Sequence, residues 1–428
     1  MSRSSPWLDE VSSTQGPMNP RLREVRAQPL VRGTEKGIVL TDPLGISEKA
    51  VFVPQALAPL LALLDGSRDQ GTIRAGFELR TGIPLRASAL EGVLLQLDSA
   101  QLLDNENFAQ AYRTAIDGFR RAPSRPPVLA GRCYPESAAE LTTSLQRHFS
   151  EAGGTDSQST EEICGIISPH IDFARGWPVY AKVWSKGAPA VADAELIAIL
   201  GTDHNGREGA VTLTRQSYET PWGILPTDGE AVDEMSKAIG ETEAFSDELH
   251  HRGEHSVEAA LIWLHHLMGD RTGRILPVLC GSFRSFVESS GSPSRGESVS
   301  AMIAALRKIA SRRRTLLVAA ADLAHVGPAF GDLLPLDITG RARLAGQDQR
   351  LMDVLCGGNA EAFFEEIRLE GDQRRICGLP PIYAALSVLS GVRGEVVDYA
   401  QCPASEDGGS VVSICGMVFR AESARPKG

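Results

Sequence analysis

Six apolar runs constrain this chain more than any other feature: "EICGIIS", "ELIAILG", "RILPVLCG", "TLLVAAA", "GEVVDYA" and "VVSICGMVF". Several are apolar at consecutive positions. A strand with one face in water alternates polar and apolar residues, so a continuous run needs cover on both faces. Amphipathic segments that supply such cover lie between them: "EAVDEMSKAIG", "SVEAALIWLHHLMG" and "VSAMIAALRKIASR". The alternation predicts an α/β sandwich around a central, mainly parallel or mixed sheet.

The ends of these runs carry the chemistry. "IISPHIDFARG" sets His170 and Asp172 just past one predicted strand, and "IAILGTDHNG" sets Asp203 and His204 past a second. "LLVAAADLAHVG" sets Asp322 and His325 past a third. In open α/β sheets, ligand sites form outside the carboxyl ends of strands. One such histidine is unremarkable, whereas three strand ends with the same signal point to a shared site. "GEHSVEAALIWLHH" adds His255 at the start of a helix, between Glu254 and Glu258. The positive end of the helix dipole favours its neutral form, and the two carboxylates oppose that.

"SYETPWGILPTD" reads either as a rim of the same pocket, through Tyr218, Glu219, Trp222 and Asp228, or as a packed hairpin turning at Pro221 and Gly223. The remaining histidines are expected elsewhere. His148 reads as a surface residue, His250 and His251 as solvated loop residues, and His265 and His266 as partners of a helix C-terminus. Two or three histidines with a carboxylate and open positions form the ligand set of non-haem iron(II), and the same set binds zinc. A shared ion requires the ring nitrogens of His170, His204 and His255 to lie within about 6 Å of one another.

Composition narrows the function classes. The 428 residues carry a net charge of -11, which argues against binding phosphate backbones or anionic membranes. No apolar stretch is long enough to span a bilayer. Seven dispersed cysteines without a C-x-x-C pair speak against a structural zinc site or a disulfide framework. They read as buried thiols of a cytoplasmic protein. Residues 1–18 read as a disordered leader.

Three prolines and three arginines in "RRAPSRPPVLAG" mark a seam, read as a linker over residues 120–129. It separates a small domain, residues 19–119, from a large one, residues 130–428. In the small domain, "GIVLTDP" and "AVFVP" predict strands. "PQALAPLLALLDG", "TIRAGFELRTG" and "ASALEGVLLQLDSAQLL" predict three helices, giving a winged-helix-like α+β module. It contains no histidine or cysteine.

"GIVLTDP", "LLALLDGSRD" and "LDSAQLLD" make the small domain resemble the PqqD-like peptide-recognition modules. In the large domain, "AGRCYP", "SPHIDFARG", "LGTDHNG", "YETPWGILPTD", "EHSVE", "ILPVLCGSF", "ADLAHVG" and "ICGLPPI" resemble the Memo family, in that family's order. The two together resemble protein B of AmmeMemoRadiSam systems. The resemblance implies a sandwich related to the class III (LigB-type) extradiol dioxygenases. It implies metal ligands at His170, His204 and His255, with His255 alternatively an acid/base group. Asp322 and His325 become proton-handling residues, and Asp172, Asp203, Tyr218, Trp222 and Glu254 line the pocket.

The implied cofactor is a divalent metal, iron first, with copper or zinc as alternatives. The implied function is a metal-dependent oxidoreductase of dioxygenase-like type. Its alternative is a non-catalytic peptide- or ligand-binding protein acting with a radical-SAM partner. A small molecule or peptide, and radical-SAM and AMMECR1-like proteins, are the expected partners. This sequence departs from the family at Ala324, where the family's Asp-x-Cys/Ser-His strand end offers a soft ligand, and at Asn205, where relatives often carry histidine.

Overall fold

The computed structural model describes residues 19–153, 162–269, 271, 273–289 and 291–422, so the leader expected over residues 1–18 lies outside them. The chain divides into two compact units, Met1–Arg121 and Ala122–Gly428.

The first unit carries an antiparallel sheet of β1 (Arg26–Arg32), β2 (Glu35–Thr41) and β3 (Val51–Pro54) in that order. The expected strands are β2 and β3. All seven residues of β1 are exposed, so no apolar alternation announces it, and its Pro29 suits an edge. The helices Gln70–Thr81 and Ala87–Ser99 form as expected. Asp69 caps the first through the Thr72 N–H at 2.7 Å, and Gly82 ends it at φ 70°. The segment expected as the first helix forms only a 3-10 turn, Gln55–Leu57, and one α turn, Ala58–Leu61. A further helix, Glu106–Arg121, is highly amphipathic yet mostly exposed.

In the second unit the six apolar runs all become strands. They are β4 (Ile163–Ser168), β5 (Leu196–Thr202), β9 (Ile275–Cys280), β10 (Thr315–Ala320), β12 (Val392–Pro403) and β13 (Val411–Ala421). Shorter strands add to them: β6 (Val211–Leu213), β7 (Tyr218–Thr220), β8 (Gly223–Leu225) and β11 (His325–Val326). The sheet runs β11-β13-β4-β10-β5-β9-β6, with β12 beside β13, and β7 and β8 form a separate hairpin. β4, β10, β5 and β9 are parallel, and the outer strands are antiparallel, so the sheet is mixed.

Alternate side chains of β10 enter opposite cores. Leu316, Val318 and Ala320 pack with Trp184 and Trp263, whereas Leu317 and Ala319 pack with Leu306 and Ile382. Cover on both faces explains the continuous apolar runs.

The seam does more than link. Arg125 is fully buried, and its backbone pairs with Ser217 and Glu219 on either side of Tyr218. Its side chain forms an ion pair with Glu258 and donates to the carbonyls of His251 and Glu254. A proline- and arginine-rich stretch looks like a linker because nothing local reveals a buried acceptor for the guanidinium. Among the described residues, no helix is long and apolar enough to cross a membrane.

Candidate metal centre

The sheet register builds the site. Ala320, the last residue of β10, stands opposite Ser168 of β4 on one side and Gly201 of β5 on the other. The three strands therefore end level, and the residues that follow emerge at one edge. His170 arrives from β4, Asp322 from β10 and His204 from β5.

Gly201 explains how His255 joins them. A Cβ there would lie 2.5 Å from Ser256 Oγ and 2.7 Å from Val257 Cγ2. Without it, the helix Ser256–Met268 seats its first turn against β5, with Ser256 Oγ donating to the Thr202 carbonyl at 2.8 Å. One ligand-type atom from each of His170, His204 and His255 then lies within 4.8 Å of the others. This meets the requirement for a shared ion. Metal–nitrogen bonds of about 2.1 Å at tetrahedral angles set ligand nitrogens about 3.4 Å apart, so the rings would draw in around an ion.

Each ring is oriented by an acceptor. His170 Nδ1 is 3.0 Å from the Ala320 carbonyl. His204 Nδ1 is 3.0 Å and His255 Nδ1 3.1 Å from the Glu254 carboxylate. Carbonyls and carboxylates only accept, so Nδ1 carries a proton on each ring and Nε2 is the nitrogen left for a metal to bind. Asp322 accepts the His170 and Ile171 backbone N–H groups at 2.8 and 3.3 Å, and stands 3.7 Å from His170 Nε2.

A cysteine completes the cluster. Cys377 Sγ is 3.3 Å from His170 Nε2. Its loop is pinned between two strand ends, with Thr202 Oγ1 donating to the Cys377 carbonyl at 2.9 Å and the Gly378 N–H to the Asp322 carbonyl at 3.1 Å. Gly378 permits this approach, since a Cβ there would fall 2.5 Å from that carbonyl oxygen. Two left-handed non-glycine residues, Asp372 and Arg375, shape the loop before it.

Electrostatics bind the cluster together. Burial opposes charge on His170, but Asp322 and Cys377 outweigh it and push its pKa up to about 9. Burial likewise opposes charge on His204, and Glu254 and Cys377 raise its pKa well above the usual imidazole range. Burial disfavours the Cys377 thiolate, yet His170, His325 and hydrogen bonds from His170 and His204 hold it well below the ordinary thiol range. Glu254, against its burial, is held well below the carboxylate range by His204 and His255. The metal-free cluster thus sets protonated His170 and His204 against a thiolate and carboxylates, and a bound cation would take the place of the Nε2 protons.

A family model described as Memo-like protein matches residues 125–418. The chain belongs to the Memo family. Its relatives are similarly named. A MEMO1 family protein of Aquifex aeolicus is 28% identical over 408 residues, covering 94% of this chain and 100% of its own length. That coverage exceeds what the second unit alone supplies. MEMO1 family proteins of Archaeoglobus fulgidus and Thermus thermophilus are 27% identical, over 69% and 74% of this chain and 99% and 89% of their own lengths.

Several expectations need correction in this Memo chain. Ala324 does not face the ligands. It is buried in an apolar cluster with Val326, Leu344 and Val411. The soft side chain beside His170 is instead Cys377, in "ICGLPPI", which reads in sequence as one more buried thiol. Its local signal is a Cys-Gly pair directly before a proline-rich helix start, a setting that favours thiolate. Tyr218 is 1% exposed and cannot line an accessible pocket; its hydroxyl is 2.7 Å from His251 Nδ1. Trp222 donates to Thr142 and packs on His265, and Asp228 caps the helix Gly229–Ile239. The hairpin alternative is the one realised.

Asp172 caps the helix Phe173–Asp193 and pairs with Arg175. Asp203 holds its own loop, through the Asn205 N–H and His250 Nδ1 at 2.8 Å. Glu258 serves Arg125 rather than His255. His325 turns Nδ1 to the carbonyls of Leu323 and Arg375 and packs on Phe330.

The other histidines are less solvated than expected. His250 lies against Asp203, and His251 is fully buried between Tyr218 and the Thr212 carbonyl. His148 stacks on Trp177 and His266 on Phe149, while His265 meets Thr220 Oγ1 at 2.6 Å. Burial lowers the pKa of His148, His265 and His266, which removes the charge a helix-end role needs.

Proposed function

We propose that this chain is a metal-dependent oxidoreductase whose ion is held by His170, His204 and His255, with Cys377 as a further donor. The observation that carries the reading is the three-histidine cluster, its atoms within 4.8 Å, at the carboxyl edge of parallel strands. The donor chemistry fits: imidazoles that release the Nε2 proton on binding, together with a thiolate, suit iron(II), and also copper(I) or zinc. The dioxygenase-like class follows from the sequence resemblance. A redox-active ion there supplies one-electron exchange with oxygen or an organic substrate.

The protein's own groups do the rest. Asp322 fixes the His170 loop and adds negative charge beside the ring. His325, held by the carbonyls of Leu323 and Arg375, adds to the electrostatic support of the Cys377 thiolate. His204 and His255 are the more open members, with side chains 33% and 40% exposed, so a substrate would approach the centre from their side.

The test is metal analysis after anaerobic reconstitution with iron(II). About one ion per chain is expected, by the usual ligand count. His170→Ala and His204→Ala should each abolish stoichiometric binding. Unchanged iron content in both variants overturns the proposal.

A further inference from the structure

We infer that Glu254 is the positioning residue of the centre: one buried carboxylate that holds the Nδ1–H groups of two ligands and so fixes both rings together. The inference rests on the metal-centre reading and deepens it. Glu254 is 4% exposed, and five N–H groups converge on it. Oε1 receives the backbone N–H groups of His255 at 2.7 Å and Ser256 at 2.9 Å, and faces His255 Nδ1 at 3.1 Å. Oε2 receives the His204 backbone N–H at 3.1 Å and faces His204 Nδ1 at 3.0 Å. The two rings stack with centroids 4.9 Å apart, so neither turns without disturbing the other.

His170 is held differently, by the Ala320 carbonyl. The centre therefore has two independent orienting devices: a strand-end carbonyl for one ligand and a single side chain for the other two. Glu254 is itself fixed from behind, because Arg125 Nη2 donates to its carbonyl at 2.6 Å. Carboxylates that receive the second ring N–H of a ligating histidine hold its orientation and raise its basicity, and their loss costs about 10–100-fold in metal affinity.

Glu254→Gln isolates the effect. The amide keeps the shape but presents an NH2 group to N–H donors on one side. That mismatch disturbs both His204 and His255, because the two rings stack on each other. In 15N-histidine-labelled, metal-free protein, long-range 1H–15N spectra report which ring nitrogen carries the proton. The wild type should show Nδ1–H at all three ligands. Glu254→Gln should change the patterns of His204 and His255, leave that of His170 unchanged, and weaken zinc binding about 10–100-fold.

Unchanged tautomers with wild-type zinc affinity overturn the inference. A change that also reaches His170, with a lowered unfolding midpoint, assigns Glu254 a merely structural role and overturns it too. A wild type that binds no metal, while Glu254→Gln still shifts the tautomers, instead sinks the metal-centre reading and spares the clamp.

Discussion

Arg125→Met should be among the most damaging single changes in the second unit, although sequence places the residue in a linker. Arg125 and Glu258 have side chains 0% and 1% exposed. Methionine fills much of the volume but leaves a buried carboxylate without its counter-charge. Breaking a buried ion pair from one side costs about 3–5 kcal/mol. The carbonyls of His251 and Glu254 lose their donor as well, each worth about 1 kcal/mol. Glu258 retains the N–H groups of Val128 and Leu129 and the Tyr134 hydroxyl, which keeps the total near that range rather than beyond it.

The assay is urea unfolding of metal-free protein, followed by tryptophan fluorescence. Four of the five tryptophans, Trp177, Trp184, Trp222 and Trp263, lie in the second unit, so the signal chiefly reports that unit. Adding Glu258→Gln, which removes the stranded charge, should recover at least about 1 kcal/mol. A single variant within about 1 kcal/mol of wild type refutes the reasoning, because the pair would then not be desolvated.

Other outcomes follow from the same contacts. Gly378→Ala places a methyl 2.5 Å from the Asp322 carbonyl, so the loop must retreat and carry Cys377 from His170. Cobalt(II)-loaded protein should lose its thiolate charge-transfer band, and retention of full intensity would contradict the placement of the thiol. Cys377→Ala should lower affinity for copper(I) more than for zinc, as competition with a chromophoric chelator would reveal, because the thiolate is the soft donor.

His251 supplies a pH dependence. Burial, aided by the Arg125 charge, lowers its pKa from 6.5 to about 3. The unfolded chain therefore binds a proton that the folded chain rejects. Stability present above pH 6.5 is lost as pH falls towards 3, at up to about 1.4 kcal/mol per unit. His251→Gln can still donate to the Thr212 carbonyl and accept from Tyr218, and its urea midpoint should fall less steeply between pH 6.5 and 4.5. Identical slopes would refute the assignment.

The strands were legible because burial on both faces leaves a continuous apolar run, and β4, β5, β9, β10, β12 and β13 all carry one. β1, β6 and β11 were not, being short or exposed, and β7 and β8 were legible as one of two readings of their segment. His170, His204 and His255 were legible as strand-end and helix-start residues. Cys377 was not, since its place depends on Gly378 fitting against the end of β10, some 55 positions earlier in the chain.

The amino-acid sequence by itself determined the layered α/β unit, the edge of the sheet at which chemistry gathers, and three of the side chains that gather there. Local periodicity and strand-end position suffice for those. Only the tertiary structure decided which polar groups meet: that Glu254 clamps two rings, that Arg125 neutralises Glu258, and that Cys377 rather than a residue at position 324 faces His170. Such pairings depend on strand register and on close approaches at Gly201 and Gly378, and these arise between segments far apart in the chain.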